Sequence, residues 1–338
     1  MNLCAQENRM LKIALFGSGF MGRTHLQCYA RNRHCRVQYV YGSDRDRVRA
    51  LAREFGAEPV FEVDDVWNSD VDIVDLCLPT HLHMEYGVAA ARAKKNILCE
   101  KPVANNQADA ARLMAAVRRH GVSFMVAHVI RFWPEYVYIR ELVRKGTLGK
   151  PLTLHARRQQ PMPAWSVGNW ITDPGLSLGG VVDLQIHDID FINWVFGPPA
   201  SLRSVGTRSE RGGWEQINTL FSYPTGFNAV IEACNLMPRG YPFCMSLSIL
   251  FTHGLVEFNS RDTPSLKVWR KNRPVACPAV PRGDGYQHEI DYFVDCVRRG
   301  RAPSVVTGED ACLALRLALS SKKSLDTSKE IFITRRNR

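Results

Sequence analysis

The chain has 338 residues, 45% of them hydrophobic and 23% charged, with 44 Lys+Arg against 33 Asp+Glu for a formal net charge of +11. This balance excludes a disordered, collagenous or coiled-coil chain and leaves apolar material for two domains. The positive excess raises nucleic acid, a membrane surface or an anionic ligand as a partner. In chain order, Leu11–Phe16 is a short run of strand formers that ends at Gly17-Ser18-Gly19-Phe20-Met21-Gly22, and a helical stretch follows to about Tyr29. Further strands are expected at Val37–Tyr41, Val71–Leu78, Asn96–Cys99 and Ser123–Ala127, with helices at Asp46–Phe55, His83–Ala93 and Gln107–His120. Strands alternating with helices predict an α/β domain, a doubly wound parallel sheet with helices on both faces, over residues 1–126.

The glycine loop follows a strand, opens a helix and has an acidic residue, Asp44, about 20 residues on, which is the context a dinucleotide fingerprint requires. Gly17 makes the tight turn, Gly19 lets the backbone approach a pyrophosphate, and Gly22 permits close helix–strand packing. Phe20 and Met21 open the helix, whose N-terminal N–H groups favour an anion. Asp44 is placed to accept hydrogen bonds from a ribose. Its carboxylate repels a 2′-phosphate, which favours NAD; Ser43, Arg45 and Arg47 crowd the same turn and keep NADP open.

The strand at Val71–Leu78 stops at Pro79, and Thr80, His81, Leu82 and His83 follow. His81 and His83 have the look of a metal pair, but no cysteine or carboxylate cluster completes a site, so no metal is expected. His83 is read as lying near the cofactor or pinning the turn. The next strand runs into Glu100-Lys101-Pro102. Lys101 therefore stands at the C-terminal end of a strand, where ligands bind in open α/β sheets, and Pro102 biases it to an extended backbone. A lysine there can donate to a reacting hydroxyl and stabilise alkoxide charge, with Glu100 anchoring the segment; a solvent-facing Lys–Glu pair is the plainer alternative.

Residues 127–338 form the second domain. Arg131–Tyr136 leads into a helix ending near Gly146, Pro151–Gln160 begins a strand, and Pro161–Leu178 is a loop carrying Trp165 and Trp170. Gly179-Gly180 opens a helix expected to run to about Phe196. Strands punctuated by turns fill Ser201 to Trp269, and Tyr286–Arg299 and Gly308–Ser321 read as helices. Asp183 and His187, four apart, share one helix face. A lone histidine on an apolar helix is ordinarily a packed core residue; one paired with a carboxylate can exchange a proton near neutrality. Asp188 and Asp190 point elsewhere and are read as structural.

The glycine loop, the Pro79…His83 turn, Glu100-Lys101-Pro102 and Gly179-Gly180-Val181-Val182-Asp183-Leu184-Gln185-Ile186-His187-Asp188 together resemble the Gfo/Idh/MocA family of oxidoreductases, from about Lys12 to Ile333. The resemblance implies a Rossmann domain followed by an α+β domain on an open, mostly antiparallel sheet. It implies NAD(P)-linked oxidation or reduction of a sugar, sugar derivative or cyclitol by a homodimer or homotetramer. It makes Lys101, Asp183 and His187 catalytic: His187 takes the hydroxyl proton as hydride leaves, and Asp183 binds substrate or holds the imidazole. Pro79, Thr80, His83, Glu100 and Lys101 join Gly17, Gly19, Phe20, Met21, Gly22, Asp44 and Arg45 around the cofactor. Arg157, Trp165, Trp170 and Tyr286 are expected along the substrate cleft, with loop packing the alternative. The family usually turns into Glu-Lys-Pro through a glycine; here Ala93-Lys94-Lys95-Asn96 takes its place, and Asn96 is expected to accept the left-handed geometry.

A catalytically silent dinucleotide-binding regulator and an NAD-assisted sugar-cleaving enzyme are the competing functions, the first disfavoured by the intact trio. No apolar run approaches the roughly 18 residues of a membrane span, and the first ten residues lack an apolar signal core. The ten cysteines form no CxxC pair, so a cytoplasmic protein without structural zinc is expected. The basic residues accompany no nucleic-acid-binding motif and are read as solvated surface.

Overall fold

The computed structural model describes residues 9–163 and 167–334. The chain divides into two compact units: the first ends its main stretch at Phe132 and takes in Gly283–Cys312, and the second holds Asn169–Arg282 and the chain from Trp133 and from Leu313.

In the first unit β1 (Leu11–Phe16), β2 (Cys35–Tyr41), β3 (Glu58–Val60), β4 (Ile73–Leu76), β5 (Asn96–Glu100) and β6 (Phe124–Ala127) pair in parallel in the order β3-β2-β1-β4-β5-β6. The connecting helices are α1 (Phe20–Arg31), α2 (Arg45–Phe55), α3 (Val63–Trp67), α4 (His83–Arg92) and α5 (Gln107–His120). Strands covered on both faces need continuous apolar runs, and Ile13, Leu15, Ile73, Val74, Ile97 and Leu98 are all fully buried. Local capping sets the helix ends. Asn106 accepts the Asp109 N–H at 2.9 Å to start α5, and Gly121, at φ 65°, ends it.

Two details differ from the sequence reading. The left-handed residue between α4 and β5 is Lys94, at φ 60°, because Asn96 is already in the strand. Asn96 instead spans the turn with its side chain, donating to Asp72 O and accepting from Ser123 N, both at 3.0 Å. Gly283–Cys312, expected in the second domain, belongs to the first unit. Its helix α10 (Gly285–Arg298) docks there through Asn32 Nδ2 to Asp291 Oδ1 at 2.7 Å and Gln287 Nε2 to Cys28 O at 3.2 Å.

The second unit carries α6 (Pro134–Lys145), β7 (Pro151–Gln159), α7 (Pro174–Ser177), α8 (Gly180–Asp183) and α9 (Ile186–Phe196), then β8 (Ser201–Arg208), β9 (Trp214–Ser222), β10 (Asn228–Cys234), β11 (Cys244–Phe251), β12 (Gly254–Asn259) and β13 (Leu266–Arg270). After α11 (Gly308–Thr327), whose start groups with the first unit, β14 (Ile331–Phe332) closes the sheet. The strand order is β13-β12-β11-β7-β10-β9-β8-β14, antiparallel except for β10 beside β7. Alternate residues point to opposite faces: Ala156, Ile217, Thr219, Ile231 and Ala233 are buried on one, while Leu220, Leu250 and Arg157 are exposed on the other.

Candidate active site

The glycine loop passes from β1 to α1 at the carboxyl end of the parallel sheet. Gly17 has φ 116°, and a Cβ there would overlap the Cys77 carbonyl oxygen; a Cβ on Gly22 would overlap the carbonyl of Gly17. The loop is thus shut tightly against the end of β4. No side chain caps α1 at Gly19, and no acidic residue lies in its first turn, so the positive end of the helix faces the loop without a competing carboxylate. Asp44 sits at the end of β2 as the N-cap of α2: Oδ1 accepts Arg47 N at 3.1 Å, and Oδ2 lies 3.2 Å from Arg47 Nε. The Arg45 guanidinium stacks over the Phe61 ring, 4.6 Å from its centroid. A tight uncapped loop and a carboxylate on the neighbouring strand end fit a dinucleotide.

Glu100 ends β5 and Lys101, half-buried, follows it; the Lys101–Pro102 peptide is cis. The Glu100 carboxylate is buried and its Oε2 accepts the Lys101 N–H at 3.0 Å. Pro79 leads into the turn at Thr80–Leu82, where Thr80 is buried. His83 is fully buried and places Nδ1 2.8 Å from Pro102 O and Nε2 2.8 Å from Leu78 O. It therefore clamps the loop after β4 to the loop after β5. Burial draws its pKa below the ordinary histidine value, against the two carbonyls that raise it. With both nitrogens on backbone carbonyls, His83 pins the turn and is not half of a metal pair with exposed His81.

Beneath these loops lies a cluster that sequence reasoning missed. His25 on α1 is fully buried, with Nδ1 2.8 Å from Asp75 Oδ2 and Nε2 3.4 Å from Glu100 Oε1. Tyr29 OH donates to Asp75 Oδ2 at 2.9 Å, and Cys77 Sγ lies 3.3 Å from His25 Nδ1. The ligating atoms of His25, Asp75 and Cys77 lie within 4.8 Å of one another, and they are already engaged in hydrogen bonds among themselves. A signal existed: Asp75 is a charge inside the apolar strand Ile73–Leu76.

In the second unit, the helix expected from Gly180 to about Phe196 is two pieces, α8 and α9, interrupted at Leu184–Gln185. Gln185 sits at the break: its N–H and that of Leu184 both reach the Gly180 carbonyl, and its buried side chain donates to Ile231 O at 3.0 Å and accepts from Thr219 Oγ1 at 3.1 Å. From Gly180 to Asn193, every residue is buried except Asp183 and His187, which are half-buried. Gly179 takes φ 77°, and a Cβ on Gly180 would crowd Asn235 Nδ2 and Glu215 Oε2, each 3.1 Å away. The glycine pair admits a second group absent from the sequence reading: Glu215 is buried, and its Oε2 accepts from Asn235 Nδ2 at 2.8 Å. Burial first, then the nearby charge of Asp183, pushes the Glu215 carboxyl above its usual value. Asp188 is buried in a two-pronged ion pair, taking Arg158 Nε at 2.9 Å and Nη2 at 3.2 Å, which is a structural role.

Arg157 stands on the uncovered face of the sheet, paired with Glu232 at 3.0 Å, opposite the face where Arg158 meets α9; the twofold strand period excludes it from the side of His187. Trp170, in the second unit, is half-buried in the turn Val167–Thr172, and Tyr286 lies in the first turn of α10 in the first unit. Trp165 lies outside the described residues.

Two family models match this chain: the oxidoreductase family with NAD-binding Rossmann fold over residues 11–128 and the GFO/IDH/MocA C-terminal domain over residues 136–257. The myo-inositol 2-dehydrogenase of Thermotoga maritima is 26% identical over 340 residues, covering 95% of this chain and 98% of that protein. Levoglucosan dehydrogenase, solved with NADH and levoglucosan, superposes with a TM-score of 0.85 at 20% identity over 96% of this chain and 99% of that one. The aldose-aldose oxidoreductase of Caulobacter crescentus gives a TM-score of 0.86 at 22% identity over 96% and 100%. The motifs, the two folds and the models that match them agree, and the chain belongs to the Gfo/Idh/MocA family of NAD-binding oxidoreductases.

Proposed function

We propose that this enzyme moves a hydride between nicotinamide and a secondary alcohol or ketone of a sugar, sugar derivative or cyclitol, with Lys101, Asp183 and His187 as its catalytic residues. The observation that carries the reading is the burial pattern of Gly180–Asn193, in which Asp183 and His187 alone keep access to solvent. NAD, when bound, accepts the hydride. His187 takes the hydroxyl proton, Asp183 binds the substrate or orients the imidazole, and the Lys101 ammonium stabilises the developing alkoxide. Inositol and levoglucosan, the substrates in the relatives' names, define the class.

A screen of sugars and cyclitols with NAD and NADP, followed at the nicotinamide absorbance, tests this. Turnover with a lower KM for NAD is expected, because the Asp44 carboxylate opposes a 2′-phosphate and Arg45 is stacked on Phe61. Asp44→Ala should raise the KM for NAD by about tenfold or more, the scale of one lost charge-assisted hydrogen bond. A protein that binds NADH yet turns over no member of the panel is a silent regulator, and the reading fails.

We further propose a homodimer or homotetramer that covers the open face of the second sheet, where Leu152, Val205, Leu220 and Leu250 are exposed. Light scattering should give two or four chains, and Leu220→Glu with Leu250→Glu should yield monomers; a wild-type monomer at micromolar concentration overturns this. A reducing cytoplasm suits the cysteines, which are free among the described residues.

A further inference from the structure

We propose that His25 is a positioning residue for the Glu100–Lys101 step: its imidazolium, buried between Asp75 and Glu100, holds the Glu100 carboxylate on the backbone N–H of Lys101 and sets the charge felt by the Lys101 ammonium. The inference rests on the reading of Lys101 as catalytic. Its geometry lies entirely within the first unit.

His25 turns a different ring nitrogen to each of two carboxylates: Nδ1 is hydrogen-bonded to Asp75 at 2.8 Å, and Nε2 lies 3.4 Å from Glu100 Oε1, an ion-pair contact without hydrogen-bond geometry. A neutral ring has one N–H and one lone pair, and would aim that lone pair at a carboxylate oxygen. The cationic ring has a proton for each. Buried charges persist only when paired, and here the count closes: Asp75 and Glu100 against His25 and Lys101. Tyr29 OH and the Cys77 thiol hold Asp75 from the other side, at 2.9 and 3.6 Å, so Asp75 is a fixed anchor. Glu100 is the transmitting group, with Oε1 toward His25 and Oε2 on the Lys101 N–H.

The titratable groups facing His25 are Asp75 from β4, Cys77 after it, Glu100 from β5, and Cys28 and Tyr29 from α1, with Asp284, the N-cap of α10, and Glu289 within that helix beside Cys28. Burial works against both charges, yet the Asp75 carboxylate holds His25 well above the usual histidine range. Against the same penalty, His25 and then Lys101 hold Glu100 below the usual carboxylate range. Without His25, two buried carboxylates share one cation. Glu100, still ionised, then turns to the Lys101 ammonium, and its grip on the backbone N–H changes.

The test compares wild-type enzyme with His25→Gln, which keeps a polar side chain of similar reach. Acetylation of Lys101 at fixed alkaline pH, read by mass spectrometry, should slow about threefold or more in the variant, because losing a neighbouring cation favours the protonated ammonium. In steady state kcat should fall about tenfold or more, with the KM for NAD within about threefold. An unchanged Lys101 acetylation rate in a folded variant overturns the proposal. A variant that does not fold leaves a measurement on wild-type protein: 15N spectra of labelled histidine, with His25 assigned through Tyr29→Phe, should show both ring nitrogens protonated at pH 7. A neutral ring overturns it. If Lys101→Ala were fully active, the catalytic reading would fall while the acetylation difference stood, so the two failures are distinguishable.

Discussion

Replacing His187 by Ala or Lys101 by Met is expected to lower kcat by roughly 10²–10⁴, the scale of removing a positioned acid–base or charge-stabilising group. Neither change should unfold the protein, because both side chains are half-buried and neither is a core packing residue. The KM for NAD should move far less than kcat, since the glycine loop and Asp44 are untouched. The two substitutions should not multiply. Under the proposed roles, the proton His187 takes and the charge Lys101 stabilises belong to one event, so the double variant should be about as slow as the slower single one. The His187 variant should also lose the acidic limb of the kcat profile, because that limb reports the group that must be deprotonated to accept the proton. Steady-state kinetics on the best substrate of the screen decide the matter. Both variants within about threefold of wild type would remove these residues from the chemistry.

The parts of the fold that were legible in the sequence are those whose cause is local. Parallel strands buried on both faces write themselves as apolar runs, and α5 begins and ends where Asn106 and Gly121 say it must. β3 and α3 left no such mark: three residues at a sheet edge, one of them Pro59, carry no period to read. Asp183 and His187 stood out in the sequence as a pair four residues apart, but the single helix that would have put them on one face is broken between them at Gln185, and a buried glutamine carries no mark that a helical period can show. His25, Asp75 and Glu100 did not stand out, since only the β1–β4–β5 order brings α1 over the strands that carry the carboxylates. Adjacent Arg157 and Arg158 show the same boundary. A twofold period says that one of them faces inward, and the partner Asp188, thirty residues away, determines which. The return of α10 to the first unit is of this kind too: an amphipathic helix declares a buried face and not what buries it.

The Arg158–Asp188 pair leads to the largest expected effect on stability. Asp188→Ala should destabilise the folded protein by about 3–5 kcal/mol, the cost of leaving a buried charge uncompensated. That is a large share of the roughly 5–15 kcal/mol by which domains are stable. The guanidinium has no retreat: Arg158 is buried on the inward face of β7, with Met245 Sδ 3.6 Å from Nη1. Arg158→Met alone should cost a comparable amount, since it strands the carboxylate instead. The double variant Arg158→Met with Asp188→Leu should recover most of the loss, because a buried pair roughly breaks even against apolar side chains of similar volume. Urea midpoints followed by tryptophan fluorescence, at unchanged slope, measure all three; a single-variant loss below about 1 kcal/mol would show that the pair is solvated and the premise wrong. The double variant then separates two roles that the structure superimposes. Asp188 is adjacent to His187 in the first turn of α9, so if the ion pair fixes that turn against β7, the stable double variant should still turn over more slowly than wild type. Wild-type kcat in the double variant would mean that apolar packing aims His187 equally well, and that the charge pair holds the fold alone.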